Sequence, residues 1–464
     1  MTWAGSPATR GQRLFRRLVR GRAPGALAVT ALSSGGNLLL AVTVARTESI
    51  AGVGRFALAF SFYVVVSGLA RAVVTDTVLA IRADSVVLRD GGGRAVAVGA
   101  GAGLAVLMTG VLTGSPYLMT VGLALPGLVL YDYTKALAIG IGSPRRAAVQ
   151  ETVWGLVTAA VALLGLAGLL PAPLVFSVWA GTGALLGHLT ARRRGYRGRP
   201  RWGLDRAGSR LAVTFGVQYV VTTGSAQLAV TALAFTAGSA VVGAISAGRT
   251  VFGPVNLLLG AATSLMIPYL GRYRDEPGPV RLRAAVRLTA LVTGVAAPVA
   301  LAVPALPDRW GTTALGANWV AARPLLLALA VEYLLVVVAT VGFAGHRVEQ
   351  AGGRALRIGA VLGTVRIPSI VVGAGLFGAG GAVVAMAAVA LCSALTWWRS
   401  YSLILRRPRV AHRQVAQPAV GGEVEAASAQ GAGERTVQVV GGGTGRELGK
   451  RHEERAGLHA RPGT

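Results

Sequence analysis

The chain has 464 residues, 53% of them hydrophobic, and its mean hydropathy is +0.59. It carries 46 Lys and Arg against 18 Asp and Glu, a formal net charge of +28. Such a basic soluble protein would suggest nucleic acid as a partner, but the basic residues are spread over many short gaps and not gathered on one face, which argues against that role. The single cysteine, Cys392, excludes an internal disulfide and a cysteine-based metal site.

Twelve long apolar stretches divide the chain. A bilayer core takes about 20 apolar residues per helix. Backbone polar groups in lipid have to be satisfied within the segment, so these stretches are predicted to be helices, and the two-residue alternation of a membrane barrel is absent. We therefore predict an all-α integral membrane protein with about twelve transmembrane helices at 25–45, 53–74, 95–112, 118–140, 147–170, 174–191, 211–236, 240–270, 284–304, 324–343, 358–376 and 378–398.

The gaps between these helices define the organisation of the chain. Residues 1–24 form a basic leader, which fits either an amphipathic helix on the anionic inner leaflet or a solvated topology signal. The most basic internal gap separates six helices from six, as in transporters built from two halves. We predict a first lobe, a linker, a second lobe and a disordered cytoplasmic tail at 25–191, 192–210, 211–398 and 399–464.

The position of the basic residues predicts the orientation. Nearly all of them lie in the two termini and in the gaps after even-numbered helices. Positively charged loops stay on the cytoplasmic side. We therefore expect a multi-pass protein of the cell membrane with both termini in the cytoplasm.

A faint internal similarity supports two related halves. The first predicted helix carries Asn37 and reaches Gly52 after 15 residues, and the seventh carries Gln227 and reaches Gly243 after 16. The G-x-G-x-x-G pattern at 373–378 lies between the last two predicted helices with no acid after it, so it indicates a turn and not a dinucleotide site. No nucleophile triad, carboxylate pair or histidine ligand pair stands out. We predict a protein that is not an enzyme and needs no cofactor or metal.

Ionisable residues inside the predicted helices are the candidates for function, because a charge in the bilayer centre costs at least about 2.5–3.5 kcal/mol unless it faces a cavity or a partner. Asp132 and Lys135 are three residues apart and can pair. Glu332 has no basic neighbour in sequence, and Arg249 precedes a Gly-Pro pair that permits a bend. With Arg55, the cations Lys135 and Arg249 form a candidate anion site in a central cavity. Buried interhelical ion pairs are the alternative.

Three segments carry a family resemblance. They are NLLLAVTVARTESIAGVGRFALAFSFYVVVSGLARAVVTDTVLA from Asn37, LVLYDYTKALAIGIGSPRRAAVQETVW at 128–154 and AGRTVFGPVNLLLGAATSLMIPYLGR at 247–272. They resemble the polysaccharide-export flippases of the multidrug/oligosaccharidyl-lipid/polysaccharide (MOP) exporter superfamily. The likeness covers roughly residues 13–405.

The resemblance implies two six-helix lobes around a central cationic cavity. It implies translocation of a polyprenyl-(pyro)phosphate-linked oligosaccharide between leaflets, with other polysaccharide-assembly proteins as further partners. The substrate-binding residues would be Arg249, Lys135, Arg55 and Asn37, and the acids Asp132 and Glu332 would tune the site or take up a coupling proton. Lys135 stands where the family often has arginine, so it keeps the charge and loses the planar fork.

Two other functions remain open at the level of sequence. A cation-coupled multidrug exporter has the same fold, but its cavity should favour acids, and the deep charges here are mainly basic. A non-transporting membrane partner in a cell-envelope assembly would use the tail as its contact.

Overall fold

The structure is a computed structural model that describes residues 23–81, 85–141 and 143–406, and the secondary structure of these residues is helical, without a strand. We number the helices in chain order. They are α1 Ala23–Thr47, α2 Ile50–Ala80, α3 Ser85–Thr113, α4 Pro116–Gly140, α5 Pro144–Leu166, α6 Ala172–Arg193, α7 206–236, α8a Ser239–Val251, α8b Gly253–Gly271, α9 Gly278–Ala302, α10 Leu326–Val348, α11 352–376 and α12 379–406. A short helix, Asp308–Leu315, precedes α10.

The twelve predicted helices are confirmed in position. Of the helical segments in the described residues, seven are long and apolar enough to cross a membrane by length and composition alone. The longest of these, Gly352–Arg406, contains both α11 and α12. Gly378, with φ of 60°, makes the predicted turn between them, in a backbone region that favours glycine.

Local sequence signals set several helix ends. Ser49 and Asp205 accept hydrogen bonds from the backbone N–H groups of Gly52 and Gly208, at 3.2 and 2.9 Å, and so cap α2 and α7. Pro116 and Pro144 lie in the first turns of α4 and α5. Backbone N–H groups of a first turn have no partner within the helix, so the N–H that proline lacks costs no helical hydrogen bond there.

Two predicted boundaries need correction. α12 continues from the predicted end at residue 398 to Arg406, because Tyr401 and Leu405 pack into the core of the second lobe. The predicted linker is shorter than 192–210, since α6 ends at Arg193 and α7 begins at Arg206. The leader, except for its last two residues, and the tail from residue 407 onward lie outside the described residues.

The first lobe, α1 to α6, has an aromatic core. Trp179 of α6 stacks on Phe176 and Trp154, with ring centroids 5.3 and 5.1 Å apart, and its indole lies beside Phe60 of α2. α4 packs against α2, α3 and α6 and is the most enclosed helix of this lobe. This burial places the polar residues of α4 inside the lobe.

The second lobe, α7 to α12, has two buried clusters. One surrounds Trp319 and Phe252, and the other joins α8b, α9, α10 and α12 around Tyr401. Beside the second cluster, Arg281 Nη1 lies 2.6 Å from Glu349 Oε2, and both side chains are buried. This ion pair ties the beginning of α9 to the end of α10.

The lobes meet tightly where α2 begins. We call the end of the bundle where α1 turns into α2 the far end, and the end with residues 23 and 406 the termini end. Gly54 and Gly243 are each the fifth residue of their helices, α2 and α8a. A Cβ on Gly54 would overlap the carbonyl oxygen of Ser239, and one on Gly243 would overlap that of Ile50. The two contacts mirror each other, as expected for halves related by a pseudo-two-fold axis.

Loop contacts also close the far end. Asn318 Nδ2 donates to the carbonyl oxygens of Ala45 and Glu48, at 2.8 Å each, and Arg46 Nη1 donates to Thr313 O. The segment before α10 is thereby fastened across the connection between α1 and α2. The described lobes are therefore in contact at this end of the bundle.

Candidate functional site

A cavity of about 590 Å³ lies between the two lobes. Helices α1 and α2 form one wall, and α7, α8, α10, α11 and α12 form the rest. Its polar lining residues are Ser34, Asn37, Ser61, Gln227, Ser246, Arg249, Thr250, Asn256, Glu332, Tyr333 and Arg366.

Arg249 reaches the cavity from the last turn of α8a. The chain leaves helical geometry at Phe252, with φ of −81° and ψ of 9°, and resumes as α8b with Pro254 in its first turn. Proline lacks the N–H that would continue the helix, so the break follows from the Gly-Pro pair. A cation in the last turn of a helix interacts favourably with the helix dipole.

Glu332 of α10 pairs with Arg249 across the cavity wall. Arg249 Nη2 lies 2.7 Å from Oε1 and 3.0 Å from Oε2, so a single nitrogen serves both carboxylate oxygens. The same nitrogen lies 3.3 Å from the sulfur of Met386. Arg249 Nε is buried without a hydrogen-bond partner among the described residues. The guanidinium therefore retains donors that this pairing does not use.

Arg366 brings a second guanidinium to the cavity from α11. No hydrogen bond or ion pair joins its side chain to another described residue, although it lies within electrostatic range of Glu332 and Arg249. With two arginines and one glutamate, this wall carries one excess positive charge. Buried cations attract anionic partners strongly where little water screens them.

The wall formed by α1 and α2 is mainly apolar. It presents Leu38, Ala41, Phe56, Ala57 and Phe60 to the cavity. Phe60 is backed by Trp179, with ring centroids 5.9 Å apart, which fixes its position. The cavity is thus cationic on one side and apolar on the other.

Amide side chains lie between the two kinds of wall. Asn37 of α1 lines the cavity, as the sequence predicted for a candidate site residue. Gln227 of α7, the residue matched to Asn37 in the internal similarity, also lines it, and Ser61 donates to Gln227 O and Oε1 at 3.1 and 3.2 Å. This hydrogen bond joins α2 of the first lobe to α7 of the second.

Lys135 and Asp132 lie outside this cavity, in the interior of the first lobe. Lys135 Nζ is 3.3 Å from Glu151 Oε2 and 3.7 Å from Asp132 Oδ1. The sequence left open whether Asp132 and Lys135 pair; in the structure they do, with Glu151 as a second acid. Tyr131 Oη donates to Glu151 Oε2 at 2.9 Å. The polar side chains Tyr131, Thr134 and Lys135 of α4 contact Gln150 and Glu151 of α5.

Arg55 is also outside the cavity. Its side chain is exposed near the far end of α2, whereas Phe56, Ala57 and Phe60 of the same helix face the cavity. The structure therefore does not bring Arg55 and Lys135 to Arg249, which corrects the expectation of one cavity holding all three cations. The reason is helix rotation, which charge content and span length do not specify.

Sequence reasoning gave no role to several residues of the cavity. Arg366 is a charge within the predicted helix 358–376, and the absence of a nearby acid in sequence was the available signal. Asn256 and Tyr333 carry no such signal, and they join α8b to α10 through a hydrogen bond of 3.1 Å from Asn256 Nδ2 to Tyr333 Oη. Among the described residues, no group of three or more metal-binding side chains is close enough to hold an ion.

No protein-family model and no curated protein matches the chain. Solved structures do match. One is titled "Lipid II flippase MurJ, inward closed conformation", with a TM-score of 0.61 and 11% identity over 81% of this chain and 88% of that one. Another is the "outward-facing conformation of a multidrug resistance MATE family transporter of the MOP superfamily", with a TM-score of 0.50 and 14% identity over 84% and 96%.

This chain shares its fold with these two solved structures, one of which is titled as a member of the MOP superfamily. The likeness confirms the predicted all-α membrane architecture of twelve helices in two six-helix lobes around a central cavity. At 11 and 14% identity it is a likeness of fold. The roles of individual residues in this MOP-type fold have to be argued from their own surroundings.

Proposed function

We propose that the protein is a membrane flippase that moves a polyprenyl-(pyro)phosphate-linked oligosaccharide, or a related cell-surface polysaccharide intermediate, from the inner to the outer leaflet. The observation that carries the proposal is the two-sided cavity, cationic along Arg249 and Arg366 and apolar along α1 and α2. An amphiphile with an anionic head group and an apolar tail would match these two sides. Translocation would proceed by alternating access of the two lobes.

The head group would bind on the side of the second lobe. Arginine binds phosphate oxygens through a planar array of donors, and Arg366 has no described partner to give up first. The amides of Asn37, Gln227 and Asn256 would donate to and accept from sugar hydroxyls. A volume of about 590 Å³ falls in the range of small-molecule pockets, so it would hold the diphosphate and the adjoining sugar. The prenyl chain would remain in lipid.

The fold and the charge distribution support the direction of transport. The fold is shared with a lipid II flippase, itself named for moving a lipid-linked substrate. The basic loops lie at the termini end, which the positive-inside rule assigns to the cytoplasm. Loading would then occur from the termini end and release from the far end, which is closed in this conformation. The proposal involves no chemical step and hence no enzymatic activity.

A cation-coupled multidrug exporter is the second function compatible with this fold, since a MATE transporter shares it. Glu332 is the observation in its favour, because it is an acid in the cavity wall. That acid is already paired with Arg249, and the wall retains an excess positive charge. A cationic substrate would meet repulsion there, so we favour the anionic amphiphile.

The test is transport of a fluorescent polyprenyl-pyrophosphate oligosaccharide in proteoliposomes that contain the full chain. We expect the wild-type protein to flip it and Arg366→Ala to slow flipping about 10- to 100-fold. A hydrogen bond to a charged group contributes about 1.5–3 kcal/mol, which corresponds to this range. Arg366 is a sharper target than Arg249, because removing Arg249 also leaves Glu332 without its partner.

Arg357→Ala is the matched control. It removes an exposed arginine from the same helix, α11, outside the cavity. We expect its flipping rate to equal that of the wild type. Equal rates for Arg366→Ala and Arg357→Ala would contradict the assignment of the head-group site. Absence of flipping by the wild-type protein, with the oligosaccharides of its own host, would overturn the flippase proposal.

A further inference from the structure

Glu332 occupies the position where an anionic ligand would meet Arg249. Its carboxylate faces the cavity, and both oxygens lie within 3.0 Å of Arg249 Nη2. The side chain is 14% exposed, so little solvent separates it from the guanidinium. In this conformation the glutamate therefore neutralises an arginine that the proposed function assigns to the substrate.

A diphosphate bound to Arg249 would place a second anionic group, besides the Glu332 carboxylate, against the same guanidinium. A diphosphate that links a prenyl chain to a sugar carries two negative charges near neutral pH. The two arginines of the wall match those charges only if Glu332 carries none. With Glu332 ionised, the wall carries one positive charge against two negative ones, and the carboxylate repels the ligand at short range.

Resting on the proposed function, we propose that Glu332 is an internal counter-ion that the substrate's phosphate displaces from Arg249, and that Glu332 takes up one proton as it is displaced. Substrate binding and protonation of this glutamate are then a single linked event. Before the substrate binds, the Glu332 carboxylate neutralises Arg249. After it binds, the two guanidinium groups neutralise the two phosphate charges.

The charged and titratable groups around Glu332 fit this exchange. Arg249 faces it from α8a, Arg366 from α11, and Tyr333 adjoins it on α10. α12 contributes Met386, and the cavity-lining residues of α7 are uncharged. No second acid lines the described cavity. Protonation of Glu332 therefore changes this wall from one excess positive charge to two.

Linkage makes the coupling reciprocal: if the ligand promotes protonation, protonation promotes ligand binding by the same factor. Anion affinity should therefore rise as pH falls, by up to about tenfold per pH unit for the uptake of one proton. Arg366 stays charged throughout, so it would hold the ligand independently of pH.

The experiment measures proton uptake directly. The full-length protein, purified in detergent, is titrated with farnesyl diphosphate in a calorimeter, in two buffers that differ in ionisation enthalpy. We expect the wild-type protein to take up about one proton more than Glu332→Gln for each ligand bound. The ³¹P chemical shift of the probe's terminal phosphate is recorded in both complexes, so that proton uptake by the probe itself is measured and subtracted. Glu332→Gln should bind the probe at least as tightly as the wild type does at pH 8.

Glu151→Gln is the matched control, because Glu151 is a buried acid paired with a cation outside the cavity. It should take up the same number of protons as the wild type. The proposed protonation of Glu332 is overturned if Glu332→Gln takes up as many protons as the wild type, or if Glu151→Gln loses the proton uptake. In either case the proposal that the cavity binds an anion is unaffected. If the wild-type protein does not bind farnesyl diphosphate, both the exchange and the proposed head-group site fall.

A second variant covers the case in which Glu332→Gln does not fold. The double variant Arg249→Ala/Glu332→Ala removes the pair together and leaves no unpaired charge. It should bind farnesyl diphosphate more weakly through Arg366, with an affinity that changes less with pH than that of the wild type. An unchanged pH dependence in the double variant would overturn the proposal.

Discussion

Lys135 lies between two carboxylates inside the first lobe, 3.3 Å from Glu151 Oε2 and 3.7 Å from Asp132 Oδ1. The side chain of Glu151 is 3% exposed, so it depends on Lys135 and on Tyr131 Oη for its partners. Lys135 is also 5.3 Å from the centre of the Tyr131 ring. The Lys135 ammonium thus pairs with two carboxylates. Its loss leaves neither of them with a cationic partner among the described residues.

Replacing Lys135 tests this arrangement. We expect Lys135→Met to lower the free energy of unfolding by about 3–5 kcal/mol, because breaking a buried ion pair leaves uncompensated charge. Lys135→Arg is the control, since it keeps the charge and should lose much less. The measurement is denaturant or thermal unfolding of the purified protein in detergent. Equal stability of Lys135→Met and the wild type would show that the acids find other partners or bind protons.

At the scale of helices, the contact of α2 with α8a holds the lobes together at the far end. Gly54 and Gly243 let each backbone approach the carbonyl oxygen of a residue in the opposite helix. The break between α8a and α8b then turns the rest of this helix along α1, where Gly253 meets Leu38. This pair of glycines thus sets how closely α2 and α8a approach each other.

Adding a methyl group at either glycine should open the far end. Gly54→Ala and Gly243→Ala force the helices apart, and overpacking of this kind costs about 1–3 kcal/mol. That cost would shift the ratio of open to closed far ends about 5- to 150-fold. We expect faster labelling of Ser246→Cys, in a Cys392→Ala background, by a membrane-impermeant maleimide applied from the far-end side.

Gly101→Ala is the control for this experiment, because a Cβ at Gly101 of α3 has no neighbour within 4 Å. It should leave the labelling rate of Ser246→Cys unchanged. Similar rates for all three alanine variants would mean that the glycine contact does not control access from the far end.

At the scale of the whole molecule, the distribution of charge predicts which end of the bundle faces the cytoplasm. The termini end carries most of the arginines, including Arg89, Arg94, Arg197 and Arg201, around the segment that joins the lobes. Asp90 offsets two of these arginines, at 3.0 Å from Arg197 Nε and 3.7 Å from Arg201 Nη1. The remaining positive charge should keep this end in the cytoplasm.

Reporter fusions test the orientation. Alkaline phosphatase joined after residue 406 should be inactive, and the same enzyme joined after residue 114, between α3 and α4, should be active. Green fluorescent protein at the same two junctions should give the opposite pattern, which controls for expression. Active phosphatase after residue 406 would reverse the orientation and, with it, the proposed direction of transport.

Features that depend on local physical chemistry can be predicted from the sequence. Span positions follow from the length and hydropathy of each stretch, the break in α8 follows from Gly253 and Pro254, and the turn at Gly378 follows from a backbone geometry that glycine favours. The spacing of Asp132 and Lys135 places them on one helix face, whereas their contact at 3.7 Å is a finding of the structure.

Which charges share a site depends on how the helices pack against one another. Arg249 and Glu332 are 83 positions apart, and their contact depends on how α8a and α10 are rotated against each other. The same rotations turn Lys135 towards Glu151, leave Arg55 exposed, and bring Arg366 into the cavity. Helix rotation is set by packing over the whole surface of each helix, so no single residue or spacing in the sequence specifies it.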